Sequence, residues 1–406
     1  MTLASTRCER QPSAPSLQLS AISFFRGFAG ALRRMRPFSS AVLALACLAG
    51  WLPAQIHSTA PDVPAKTPNS GSGPTVSGPA VSEPSLALLA SSTMNVASEI
   101  GGAFMSSSKC DADGNLYIRK LAMDRPLLSP VVKIDSEGKR VALFDPVAFS
   151  QLSLDRADAF SPASDGGIYQ IAQSGVLKPR IYVLRFSSDG SPASPILLDA
   201  DFEVYTFAAF ADGNFLVSGL QRDGLNKNDR GRNFTAVFSA DGRERAQLSL
   251  EAPAPEAAKA LAQREISNPA QKDAEKAAST LDLAEAESGS DGNLYVMQRS
   301  SPALVYVIAP SGKVMKTIKV GSPLPDAMPS SFHVSGNQMA LSFWNDESER
   351  QTVVVADAQT GRKIASYADP GGLGPSLACF SANEGVFTFL QLGEGNALEV
   401  IRAEAQ

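Results

Sequence analysis

The 406-residue chain is 44% hydrophobic and 19% charged, with 31 Gly and 27 Pro, which leaves room for one large all-β domain or two average domains. Four cysteines (Cys8, Cys47, Cys110, Cys379) form no C-x-x-C pair, which argues against a structural zinc site or a thioredoxin-type redox motif. Residues 1–54 hold six Arg and one Glu, so the remainder keeps 30 basic and 40 acidic residues and offers no basic face to nucleic acid.

In chain order, the first feature is "AVLALACLAGWL" (41–52), preceded by Arg33, Arg34 and Arg36 and followed by "PAQ". Twelve apolar residues fall short of the ~20 needed for a membrane span and match the proportions of a secretory signal. Residues 1–54 are therefore expected to direct export and to be cleaved near Ala54, with Met35 as an alternative start. Cys47 follows "ALA" where a lipoprotein signal places Leu, so simple export ranks above lipidation, and a short membrane anchor is the other alternative. The expected location is extracytoplasmic, periplasmic or secreted, with no stable membrane span after cleavage. Residues 55–91, rich in Pro, Ser and Gly, read as a flexible linker.

From residue 92 a repeat organises the chain. "DADGNLYIRK" (111–120) returns as "DGGIYQIA" (165–172), "ADGNFLVSG" (211–219) and "SDGNLYVMQ" (290–298). The turn glycines Gly114, Gly166, Gly213, Gly292, Gly336 and Gly385 lie 52, 47, 79, 44 and 49 residues apart. That is a period of about 50 with one insertion of roughly 30 residues. A second turn follows in the first five units: "DSEGK", "SSDGS", "SADGR", "APSGK" and "AQTGR". Alternating β-branched runs such as "IYVLRF" and "LVYVIA" precede these second turns and read as strands. Each unit is then about four antiparallel strands, and six units predict an all-β, six-bladed β-propeller over 92–406. A β-sandwich does not predict the double turn recurring in register. The pairs Asp113–Gly114, Asp165–Gly166, Asp212–Gly213 and Asp291–Gly292 are accordingly turn formers, with Gly supplying positive φ and Asp bonding the turn backbone.

The insertion, residues 252–286, is rich in Ala, Glu, Lys and Gln and reads as helical, either a solvated hairpin or an arm over one propeller face. Unit six ends with its third strand, and 92–101 is the available donor of a fourth. Ring closure would make the innermost strands bearing Cys110 and Cys379 neighbours. A disulfide between them is one reading, and two buried free thiols the other.

"DADGNLYIRK…VVKIDSEGKRVALFD" and "GSDGNLYVMQ…LVYVIAPSGKVMKTIKV" resemble the repeats of NHL-type propellers and of the related gluconolactonase-like and TolB-like six-bladed propellers. The resemblance covers 103–403 in six copies and implies the blade, not an activity. The chain lacks the Trp-Asp ending of WD repeats, and Trp344 is the only Trp after the signal, so the repeated Trp of quinoprotein and sialidase-type propellers is also missing.

His57 falls in the linker, leaving His333 as the only propeller histidine. The equivalent places in other units hold Asp111, Ala163, Phe210 and Gly289, which form no ligand ring, so a structural role is expected for His333. The gluconolactonase-like resemblance would imply a divalent cation such as Ca2+ in the channel. Asp201, Glu203 and Glu287 stand at or near the starts of inner strands, but they do not align with that family's ligands. "NFT" (233–235) matches a glycosylation acceptor but falls in a strand, and no phosphate loop, nucleophile elbow or zincin motif occurs. The first reading is an exported propeller that binds a protein or small-molecule ligand without chemistry and without a cofactor. The alternative is a metal-dependent hydrolase with its site in the channel.

Overall fold

The computed structural model describes residues 86–101, 104–175, 179–199, 202–221, 232–250 and 283–406. Strand β1 (Leu86–Asn95) and the one-turn helix α1 (Ala97–Ile100) come first. The first sheet is β2 (Phe104–Cys110), β3 (Leu116–Lys120), β4 (Val131–Ile134) and β5 (Arg140–Phe144). The second is β6 (Arg156–Pro162), β7 (Ile168–Ser174), β8 (Arg180–Phe186) and β9 (Ile196–Leu198). The third is β10 (Glu203–Ala209), β11 (Phe215–Gln221), β12 (Arg232–Phe238) and β13 (Glu244–Gln247). The fourth is β14 (Leu283–Ser288), β15 (Leu294–Gln298), β16 (Ala303–Ile308) and β17 (Val314–Val320).

The last strands are β18 (Met328–Ser335), β19 (Gln338–Asn345), β20 (Arg350–Asp357), β21 (Lys363–Ala368), β22 (Ser376–Ser381), β23 (Val386–Leu392) and β24 (Leu398–Ala405). With β1 they make one eight-stranded sheet in the order β18-β19-β20-β21-β1-β24-β23-β22. One half is the antiparallel meander β18–β21. The other is the meander β22–β24, completed by β1 in antiparallel register from Leu88↔Ala405 to Asn95↔Glu399. The halves meet through two parallel pairings, Leu86↔Tyr367 and Ala87↔Ala368.

The first strands of these units stand side by side in a closed circuit: β2 against β6, β6 against β10, β10 against β14, β14 against β18, β18 against β22, and β22 against β2. Sheets radiating from such a circuit make an all-β propeller. Because every sheet has a neighbour on each face, alternate residues of one strand enter different cores. Phe215 and Val217 of β11 pack with Ile171 and Val183 of the second sheet, whereas Leu216 between them packs with Leu294 and Val296 of the fourth. Fully burying one such side chain contributes about 1.5–3 kcal/mol.

Three expected boundaries differ. Strand β1 begins at Leu86, within the stretch expected to be linker, and Leu88 is wholly buried against the last sheet's core. The donor strand is accordingly 86–95, and α1 occupies part of the segment expected to supply it. Residues 283–286, expected to close a helical insertion, begin β14 instead. Pairing of Leu283 with Gln298 and of Ala286 with Val296 outweighs the local Ala/Glu helix propensity. The rest of the insertion, the signal segment, Cys47, His57 and Asp201 lie outside the described residues. No helix among the described residues is long and apolar enough to cross a membrane.

Candidate functional site

The turn formers serve their own hairpins. Gly114, Gly166, Gly213 and Gly292 all have positive φ, between 76° and 84°. Asp165, Asp212 and Asp291 each accept a hydrogen bond from the backbone N–H two residues on, from Gly167, Asn214 and Asn293. The first hairpin differs, since Asp111 rather than Asp113 accepts from the turn, bonding the N–H groups of Asp113 and Asn115. Burial would raise the Asp111 carboxyl, but the Asn115 bonds and Lys133, 3.2 Å away, hold it below the usual carboxylate range. The tyrosines of the repeated phrase lock these turns: Tyr117 donates to Asp111 and Tyr295 to Asp291, both at 3.1 Å. These residues build blades and do not converge on a ligand.

The propeller's charged centre lies on the inner strands. Lys109 of β2 reaches β14 in the fourth sheet, where its Nζ donates to Glu287 Oε1 at 2.7 Å and to the Ala286 carbonyl at 2.8 Å. Both side chains are nearly buried, 12% and 10% exposed. Burial alone would lower the Lys109 ammonium, but Glu287 and then Glu285 outweigh it and hold the group above its ordinary value. Glu285 Oε2 accepts from the Phe332 N–H at 2.8 Å. Burial, opposed by Lys109 and His333, pushes its carboxyl up.

His333 of β18 completes the cluster. Its Nε2 lies 3.0 Å from the Leu377 carbonyl of β22, and its Nδ1 lies 3.9 Å from Glu287 Oε1. Among the described residues, the ring nitrogens are thus turned to a backbone carbonyl and a carboxylate. Smaller ties lace neighbouring inner strands. Thr206 Oγ1 donates to the Leu283 carbonyl, Ser288 Oγ donates to the Ala209 carbonyl, and Ser331 Oγ accepts from the Leu377 N–H. Between β22 and β2 the tie is covalent, a disulfide joining Cys110 to Cys379 with Cα atoms 5.6 Å apart.

Of the acidic residues singled out in sequence, Glu203 is the first residue of β10, while Glu287 is the last residue but one of β14, not near its start, and faces Lys109. Among the described residues no group of three or more His, Cys, Asp or Glu side chains is arranged to hold a metal ion. The positive charge beside Glu287 is supplied by Lys109. Sequence reasoning missed Lys109 and Glu285. The available signal was "LAEAES", in which Glu285 and Glu287 share one strand face. Thr235 of "NFT" is buried in β12.

No family model matches the chain, and no curated protein matches it. Among the solved structures similar to it are the following three. A Bacteroides caccae protein of unknown function is 9% identical, with 66% of this chain and 82% of that one covered and a TM-score of 0.40. The Dos1 propeller is 12% identical over 74% and 77%, with a TM-score of 0.37. The WD40 domain of Neurospora crassa Pan2 is 10% identical over 79% and 97%, with a TM-score of 0.41.

Proposed function

We propose that this chain is an exported, six-bladed propeller of the NHL, gluconolactonase-like and TolB-like kind that binds a ligand or partner through loops on one face, without chemistry of its own. The closed circuit of six first strands and the six apolar cores, one in each gap between neighbouring units, support the blade count. The Cys110–Cys379 bridge fits an oxidising, extracytoplasmic compartment.

The observation that carries the binding reading is the division between a committed channel and an open loop face. In the channel, Lys109, Glu285, Glu287 and His333 are turned on one another or on backbone. On the loop face, the β3–β4 and β5–β6 connections are clamped by the bidentate pair Arg125–Asp145, with both contacts at 2.7 Å. The clamped loops leave Met123 81% exposed and Leu127 and Val147 about half exposed. Beside Val147, Ala148, Phe149 and Gln151 share with Pro192–Pro195 an open recess of about 650 Å3 that has no residue in common with the channel cluster. Apolar side chains held out on a rigid loop suit a partner surface.

Photocrosslinking in the producing cell tests this. A crosslinker at position 123 is expected to give a discrete adduct, and the same group at Glu137, on the opposite turns, none. Equal or absent labelling at both positions would count against the loop face. N-terminal sequencing of the mature protein is expected to place its start near Ala54, and an intact Met1 on cytoplasmic protein would overturn export.

A further inference from the structure

Two arginines share one carboxylate at the loop-face ends of the first two sheets. Arg119 is the last residue but one of β3 and leads into the β3–β4 connection, while Arg156 opens β6 as the chain leaves the β5–β6 connection. Arg119 has the strand parity of Tyr117, which packs in the core between these sheets, so its side chain enters the same gap. It crosses to the β6 backbone, where Nη2 donates to the Ala157 carbonyl and stands 3.5 Å from Asp158 Oδ1. Asp158 Oδ2 in turn pairs closely with Arg156 Nε.

Arg119 is poorly compensated for a side chain only 9% exposed. A guanidinium carries five donors and stays charged even where burial opposes it. Here Nη2 alone makes both contacts, and the one to the carboxylate is long beside the about 2.7–2.9 Å of a good charged bond. Nε is buried and meets no acceptor among the described residues. Burial pulls the group's pKa down, and Asp158 only partly offsets burial and the nearby positive charge of Arg156. The neighbouring acids are engaged elsewhere: Asp145 holds Arg125 through two 2.7 Å bonds, and Asp155 accepts from the Gly175 N–H. Two guanidiniums thus face one carboxylate, and exposure rises outward from Arg119 through Asp158, 26%, to Arg156, 36%.

We propose that Arg119 and Arg156 form a carboxylate-binding site on the loop face: Asp158 orients Arg156, and the ligand's oxygens take the unused donors of the two guanidiniums. The charge count selects the class of ligand. The site carries one positive charge in excess, which a carboxylate balances and a phosphate, at about −1.5 to −2, would overshoot. The site extends the loop-face reading from a partner surface to a small anionic group. It uses none of the exposed apolar side chains, so crosslinking at position 123 and carboxylate binding can fail independently.

The test takes the full chain in sodium chloride, sodium acetate and sodium phosphate at equal ionic strength. Acetate is expected to raise the melting temperature of wild type above its value in chloride by about 2 °C or more. Arg119→Met and Arg156→Met should each abolish that gain, and Arg243→Met, an exposed arginine of the opposite turns, should keep it. The part of the gain lost in the two site variants should be larger for acetate than for phosphate. In 15N spectra the Arg119 Nε–H signal, identified by its loss in Arg119→Met, should shift saturably with acetate. An equal gain in all four proteins would be a general salt effect and would overturn the proposal. So would a site-dependent gain from phosphate that matches acetate's, or an Arg119 signal that acetate leaves unmoved. Should Arg119→Met fail to fold, a saturable acetate shift of an arginine Nε–H in wild type that is absent in Arg156→Met still decides the matter.

Discussion

The fourth sheet and the last one solve the same problem with different means. The fourth is one uninterrupted meander from Leu283 to Val320, whose strands are brought together by short turns such as 289–293 and 309–313. The last takes three strands from the C-terminal end and its fourth, β1, from the other end of the folded chain. The Ser91–Arg402 hydrogen bond across that junction spans 311 residues. By loop-closure scaling, joining strands so far apart costs about 3–4 kcal/mol more than joining them through a five-residue turn. The junction carries matching reinforcement: a seven-pair antiparallel register, Gln406 N–H donating to the Ala87 carbonyl, Arg402 donating to the Ser136 carbonyl, and the disulfide from β22 to β2. Where the chain is continuous, Asp and Gly in a turn suffice. Where it is not, covalent and multi-strand ties take their place.

Removing the disulfide should break this comparison most sharply. Cys110→Ser with Cys379→Ser, or reduction, is expected to cost about 4–5 kcal/mol in urea unfolding, since the bridge closes a loop of 269 residues. An unchanged midpoint in reductant would show that the junction needs no special tie. Next comes the charge contact that ties the fourth sheet to the first. Lys109→Met leaves Glu285 and Glu287 buried without their cation and should cost about 3 kcal/mol, with a partial recovery in Lys109→Met/Glu287→Gln.

Two second-turn glycines sharpen the contrast at finer scale. A Cβ on Gly312, where φ is +84°, would meet Ala246 Cβ at 2.5 Å, an atom fixed to the third sheet's backbone. A Cβ on Gly138, at the junction, would meet the Val96 side chain at 3.1 Å. Gly312→Ala should therefore cost about 2 kcal/mol or more and Gly138→Ala about 1 kcal/mol; equal losses would mean that backbone strain alone decides. The smallest effects are single hydroxyls. Ser288→Ala, which loses the 2.9 Å bond to the Ala209 carbonyl, is expected to cost under about 1 kcal/mol, and the exposed Ser91→Ala less still.

Much of the fold was legible because its signals are short-range and repeated. "DGNLY" marks a hairpin by its glycine and its carboxylate wherever it stands, and strands such as "LVYVIA" alternate because each face enters a different core. The start at Leu86 was hidden because Pro and Ser dominate just before it, and only pairing with β24 makes "LALLASSTMN" a strand. The channel cluster was hidden for a different reason. Lys109, Glu285 and His333 occur once each, on different sheets, and no repeat advertises them. Glu285 and Glu287 also sit at the edge of an Ala/Glu-rich tract whose local preference is helical, and only the opposing Lys109 and Phe332 N–H groups show what they do.

The place of β1 also sets a timetable for biogenesis. Its antiparallel partner β24 is made about 311 residues later, so most of the donor strand waits without its main partner for on the order of 15–60 s at ordinary elongation rates. Throughout that interval Leu86, Leu88 and Leu89 lie on an open edge, and Cys110 is a free thiol with no Cys379 to meet. A nascent chain of this design is expected to depend on a holding chaperone more than a meander-only propeller would, and losing Ala403–Ala405 would remove three of the seven pairings that end the wait.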